Sequence, residues 1–109
     1  MKNNIFQKLT SLNYSTPILI AEMSGNHQNS LDNAKKFINQ TLIYRPDIIK
    51  FQVYRPDTIT LDVDNGDFRV DDRSHWNNYQ NLFSLYEKAH TPWDWIEELV
   101  FICKKNNLP

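Results

Sequence analysis

DIIKFQVY, residues 47–54, has the β-branched and aromatic content of a strand, yet Lys50 sits in the middle of its apolar run. Pro46 disfavours helical geometry at Arg45, so a helix on its amino-terminal side has to stop there. Upstream, Pro17 introduces ILIAEM, residues 18–23, a short continuous apolar run of the kind found in strands buried on both faces. Between the two runs lies a polar turn, SGNHQN at 24–29. Ser30 follows as an N-cap, and Leu31, Ala34, Ile38 and Leu42 recur at helical spacing, which predicts a helix from Leu31 to Tyr44. Strand, helix and strand joined by such short connections specify a right-handed βαβ unit with parallel strands.

Beyond Tyr54 the chain turns polar to about Asn81, with a Gly-Asp turn signal in DNGD at 64–67. A loop of this length inside a compact domain tends to be functional. LFSLYEKA, 82–89, predicts a short helix. HTPWDWIEELVFICKKNN, 90–107, predicts a longer one, with Thr91 as N-cap, Pro92 in the first helical position, Asp94 in the first turn and Lys104 and Lys105 in the last. Its expected apolar stripe is Trp93, Ile96, Val100 and Cys103. NNLP at 106–109 stands where a third strand should begin. Two parallel strands with their helices leave an open sheet edge and uncovered apolar faces, and they amount to two of the eight units of a (β/α)₈ barrel, an α/β fold of about 250 residues. Residues 1–16 read as a lead-in and 17–109 as the amino-terminal portion of such a TIM-barrel domain.

Composition excludes several classes of function. The 109 residues are 40% hydrophobic and 23% charged, and 12 basic and 13 acidic residues are intermixed to a net charge of −1. No single-sign field draws nucleic acid or anionic lipid. The longest apolar run falls far short of the roughly 20 residues of a membrane span, and the first residues lack a signal-peptide core, so a cytoplasmic protein is expected. Cys103, the single cysteine, reads as a small hydrophobe in a reducing compartment. LDVDNGD, 61–67, fails as a calcium loop, because Gly66 in the sixth position would put Leu61 in the first. There is no P-loop, G-x-G-x-x-G or G-x-S-x-G.

Chemistry concentrates at the strand ends. Alternation puts Lys50 and Gln52 on one face of the second strand, and Ile18, Ile20 and Glu22 on one face of the first. With parallel strands, Glu22, Lys50 and Gln52 gather at the carboxyl-terminal ends, where open α/β sheets and barrels build their sites. A buried ammonium costs several kcal/mol unless paired, so Lys50 needs an anion. That anion is either Glu22, in an internal ion pair, or a phosphate or carboxylate ligand. His27 is by default a surface histidine, although its position after a strand-end carboxylate also suits a cavity wall. Trp76, Trp93 and Trp95 read as packing elements before a sugar-stacking platform. His75 and His90 read as loop residues.

The ordered set of ILIAEMSGNH, IIKFQVYRPDTITLD and LFSLYEKAHTPWDW resembles the sialic acid synthase family over nearly the whole chain after Pro17, and AHTPW points to its pseudaminic branch. The resemblance implies the amino-terminal part of a (β/α)₈ synthase. That enzyme would condense phosphoenolpyruvate with an acetamido sugar, a 2,4-diacetamido-2,4,6-trideoxy hexose in this branch, and release phosphate. By the same resemblance Lys50 meets the phosphoenolpyruvate anion, Gln52 hydrogen-bonds in the substrate site, Glu22 contacts or helps activate the sugar, and Asn26 and His27 belong to the substrate site. A divalent metal, Mn or Mg, is expected for the complete enzyme, with ligands beyond Pro109 and none in this chain, and the complete enzyme is expected to be a homodimer. Where the family has Asn-Gly after the histidine, this sequence has Gln28-Asn29, and asparagine tolerates left-handed geometry. An N-acetylneuraminate synthase fragment, a non-catalytic remnant, and a barrel aldolase with Lys50 as Schiff-base amine are the alternatives.

Overall fold

The computed structural model describes residues 5–10 and 17–109, so the lead-in reading falls outside the described residues at 1–4 and 11–16. Among the described residues the order is α1 (Ile5–Thr10), β1 (Ile20–Glu22), α2 (Leu31–Thr41), β2 (Ile48–Lys50), α3 (Leu82–Ala89) and α4 (Ile96–Lys105), with short 3-10 turns between. β1 and β2 pair in parallel, with Ile20 opposite Ile48, Ala21 opposite Ile49 and Glu22 opposite Lys50. The result is a mixed α/β structure with a two-stranded parallel sheet.

The crossover helix forms for the reasons its sequence carries. Ser30 is extended, and its hydroxyl accepts a hydrogen bond from the Asn33 amide at 3.3 Å, satisfying one of the free N–H groups of the first turn. Ala34 and Ile38 are fully buried, with Leu31 and Leu42 packed beside them. The predicted helix extends to Tyr44, but its last three residues, Leu42–Tyr44, tighten into a 3-10 turn. Arg45 then takes a left-handed conformation, φ 49°, as the following proline makes a right-handed one unfavourable.

Both strands are three residues long, at most half of what their apolar runs predict. The ladder ends because the partners diverge: Met23 still donates to the Lys50 carbonyl at 3.1 Å, whereas the Gln52 carbonyl accepts from Thr91 instead, at 2.8 Å. The expectation that the first strand is buried on both faces does not hold. Ala21 and Ile49 turn to a core made with Met23, Ala34, Ile38, Leu99, Cys103 and Leu108, while Leu19 and Ile20 are each 51% exposed. Cys103 is buried there, and burial pushes its thiol pKa up, in keeping with its reading as a small hydrophobe.

On the edge of β2 away from β1, the Ile49 amide donates to the Pro109 carbonyl at 3.2 Å. Residues expected to open a third strand thus lie beside the second. At the other end, Asp47 accepts hydrogen bonds from the Lys8 ammonium and, at 3.0 Å, from the Leu19 amide. The lysine first and the amide second hold this carboxyl below its ordinary pKa.

The start of α4 departs from its reading. Thr91 does not cap it: its side chain is fully buried with an unpartnered hydroxyl, and a 3-10 turn, Trp93–Trp95, leads into the helix. At 3.0 residues per turn that entry rotates Trp93 off the core-facing side, leaving it 61% exposed. The packed stripe is Trp95, Leu99, Ile102 and Cys103 in place of Trp93, Ile96, Val100 and Cys103.

Candidate functional site

Register puts Glu22 directly opposite Lys50, and the two side chains leave the same face of the sheet. The Lys50 ammonium donates to Glu22 Oε1 at 3.0 Å, and the Gln52 amide nitrogen donates to the same oxygen at 2.8 Å. On the other end of that amide, the Ser24 hydroxyl donates to Gln52 Oε1 at 3.1 Å. The expected trio is therefore brought together, with Ser24 as a fourth member that the sequence did not single out.

Lys50 is not a buried ammonium. Its side chain is 53% exposed and that of Glu22 is 41% exposed, so the pair stands at the surface of the exposed sheet face. Desolvation is small there, and the ion pair adds little to stability. Both of these bonds end on Glu22 Oε1, so Oε2 takes no part in them, and the ammonium has further donor capacity toward an incoming anion.

Alternation continues past the trio to Tyr54, which with Lys50, Gln52, Ile59 and Tyr86 lines an open cavity of about 470 Å³. Tyr54 meets Tyr86 edge-on, with ring centroids 5.8 Å apart, and His90 at 5.9 Å. Burial, and then the neighbouring Tyr86, raise the pKa of the Tyr54 hydroxyl. These aromatic groups also went unread as site residues, although residues 50, 52 and 54 follow a period of two.

Asn26 and His27 are placed elsewhere. Asn26 caps the turn after β1, its side-chain amide donating to the Met23 carbonyl at 2.9 Å. It opens onto a second cavity, with Gln28, Asn29, Trp76, Tyr79 and Lys88. His27, expected at the surface by default, is 1% exposed and belongs to neither cavity wall. Its ring stands edge-on to Trp95 at 5.2 Å, and Nδ1 accepts from the Asn29 amide at 3.0 Å. That bond puts the proton of the neutral ring on Nε2, which points toward the backbone of Ala89 and His90 without closing a well-formed hydrogen bond. Burial lowers the pKa of His27, with the backbone at Ala89 and His90 working partly against it.

The turn itself survives the substitution of Asn-Gly by Gln28-Asn29: both residues are left-handed, at φ 51° and 55°. Of the three tryptophans only Trp95 packs inward, while Trp76 is 48% exposed. Among the described residues no group of three His, Cys, Asp or Glu side chains is arranged to hold a metal ion. Also among them, no helix is long and apolar enough to cross a membrane.

Two parallel strands here present a carboxylate, an ammonium and an amide at their carboxyl-terminal ends, the end at which α/β folds build their sites. The family model for the NeuB family matches residues 37–109, two thirds of the chain, and the chain belongs to that family. Lys50 and Gln52 fall inside the matched span; Glu22 precedes it. Among known proteins, the chain is 40% identical over 81 residues to pseudaminic acid synthases of two strains of Campylobacter jejuni, covering 74% of this chain and 23% of theirs. It is 34% identical over 92 residues to the pseudaminic acid synthase of Helicobacter pylori, covering 84% of this chain and 26% of that one. The chain thus spans about a quarter of the length of the curated relatives it matches.

Proposed function

We propose that this chain contributes to a sugar-acid synthase that condenses phosphoenolpyruvate with a 2,4-diacetamido-2,4,6-trideoxy hexose to give pseudaminic acid and phosphate. Its frame would be a (β/α)₈ barrel in which residues 17–109 supply the first two βα units. The observation that carries the reading is the convergence of Lys50 and Gln52 on Glu22 at the ends of parallel strands, in a chain of the NeuB family.

In this reading the phosphoenolpyruvate anion takes up the free donor capacity of Lys50 on the exposed sheet face. Carbon 3 of the enol attacks the sugar aldehyde, forming the carbon–carbon bond and leaving a cation at carbon 2. Water adds there, and cleavage of the carbon–oxygen bond releases inorganic phosphate. Lys50 offsets charge on the substrate, Gln52 donates from a fixed amide, and Glu22 orients both donors while keeping one oxygen for the sugar or its proton. The divalent metal of the proposal is held outside the described residues, so none of these steps runs through it. A cytoplasmic homodimer is part of the same proposal, and sedimentation of the full-length chain checks its stoichiometry.

The test is phosphate release by the full-length protein. It should require both phosphoenolpyruvate and the diacetamido sugar, and Lys50→Ala should lower it sharply. Release with N-acetylmannosamine alone would point instead to an N-acetylneuraminate synthase. Borohydride trapping of a carbonyl substrate on Lys50 would point to an aldolase.

A further inference from the structure

Ser24 stands in a left-handed conformation, φ 51°, where a serine is strained and a glycine is not. Its hydroxyl is committed to Gln52 Oε1 at 3.1 Å, across a sequence separation of 28 residues. We propose that Ser24 is a positioning residue that tethers the carbonyl end of the Gln52 amide while Glu22 holds its NH₂ end, so that the amide stands fixed in the site; this rests on the synthase reading above.

The argument is one of donors and acceptors. An ionised Glu22 can only accept, so Gln52 must turn its NH₂ group toward Oε1, as it does at 2.8 Å. Its carbonyl oxygen is then aimed the other way, and a carbonyl needs a donor. Ser24 supplies one, and the chain of bonds Ser24 to Gln52 to Glu22, with Lys50 joining at the same carboxylate oxygen, has a single direction. Remove the hydroxyl and the carbonyl end loses its donor, so the amide is held only through its bond to Glu22 and swings about that one contact. The backbone at residue 24 favours glycine, and the serine that stands there places a hydroxyl against Gln52.

Ser24→Gly separates the two roles, because it relaxes the left-handed backbone and deletes only the hydroxyl. In the full-length protein we expect its thermal midpoint to equal or exceed the parent's, while kcat/KM with phosphoenolpyruvate and the diacetamido sugar falls roughly tenfold, the loss of about one hydrogen bond in the site. In a Gln52→Ala background the same substitution should change kcat/KM less than twofold, since its target is gone. With selective ¹⁵N-glutamine labelling, the Gln52 side-chain amide resonance should move or broaden in Ser24→Gly. Full activity of Ser24→Gly overturns the proposal, as does an equal loss in both backgrounds or an unmoved Gln52 resonance. A parent inactive with both substrates, in which the Gln52 resonance still responds, overturns the synthase reading and the catalytic part of this one together, leaving only the hydrogen bond.

Discussion

Glu22 and Lys50 are register partners across the parallel pair of β1 and β2, and the 3.0 Å bond between them stands half open to solvent. A pair so exposed is held in place by the strands and contributes little to folding, so its removal and the loss of function are separable.

Lys50→Ala in the full-length protein should therefore lower stability by only about 0–1 kcal/mol. Use of phosphoenolpyruvate should fall far more, by roughly 2–5 kcal/mol in kcat/KM, as when one member of a charge pair in a closed complex is deleted. Thermal melts beside phosphoenolpyruvate titrations check this. Equal binding of phosphoenolpyruvate by mutant and parent would contradict it.

Gln52→Ala should act mainly on substrate positioning, at about 1–3 kcal/mol if a hydrogen-bonding partner is stranded in the occupied site. Its effect on stability should sit near the low end of about 0.5–1.5 kcal/mol, because its bond to Glu22 is exposed. An unchanged rate over a full substrate titration would rule this out.

The turn after β1 packs closely on the end of α3. A Cβ at Gly25 would lie 3.1 Å from Ala89 Cβ and 3.3 Å from both the Cα and the carbonyl oxygen of Ala89. Two of those atoms are backbone and yield only by shifting the helix end, so Gly25→Ala should cost about 1–3 kcal/mol as overpacking does. An unaltered denaturation midpoint would show that α3 moves freely there.

His27 sets a pH dependence. Burial lowers its folded-state pKa, whereas the unfolded chain keeps a value near 6.5. Below about pH 6.5 the unfolded state binds the proton more readily, so stability should fall as pH drops through that value and level off once the folded-state pKa is passed. Above it this contribution should be flat. Melting of the full-length protein between pH 5 and 8, alongside His27→Gln, checks the sign: the variant should show a shallower decline on the acid side.

Much of this was legible, because it depends on local periods. The crossover helix follows from Ser30 and the spacing of Leu31, Ala34, Ile38 and Leu42, and the shared face of Glu22, Lys50 and Gln52 follows from strand alternation in a parallel pair. What was not legible depends on residues far apart in sequence. Lys50 was read as buried because its neighbours in sequence are apolar, yet its exposure is set by what covers that face. His27 is buried by Trp95 and the end of α3, neither of which its own turn announces. Ser24 reads as a turn residue until register brings Gln52 within 3.1 Å. The phase of α4 shifted because a proline-led start can also begin as a 3-10 turn.

Residues 1–109 alone should show no synthase activity and should be poorly folded or self-associated. The radius of gyration is 16.9 Å, against about 13 Å for a compact chain of this length. Leu19 and Ile20 stand exposed on or beside the sheet, and Ile43, Tyr44 and Phe101 are exposed by 78%, 77% and 64% on the helical side. Such surface, together with an edge on β1 that pairs with no other described strand, favours association. Among the described residues, a core of seven buried hydrophobic side chains has to offset a backbone entropy of roughly 1–2 kcal/mol per ordered residue. Activity should fail for a separate reason, since residues 1–109 span only about a quarter of the length of the synthases they match and would supply two of the eight proposed βα units. Sedimentation, a denaturant titration and a phosphate-release assay on this segment decide both points. Cooperative unfolding of a monomer without turnover would overturn the first half, and a monomer that also turns over phosphoenolpyruvate and the diacetamido sugar would overturn both.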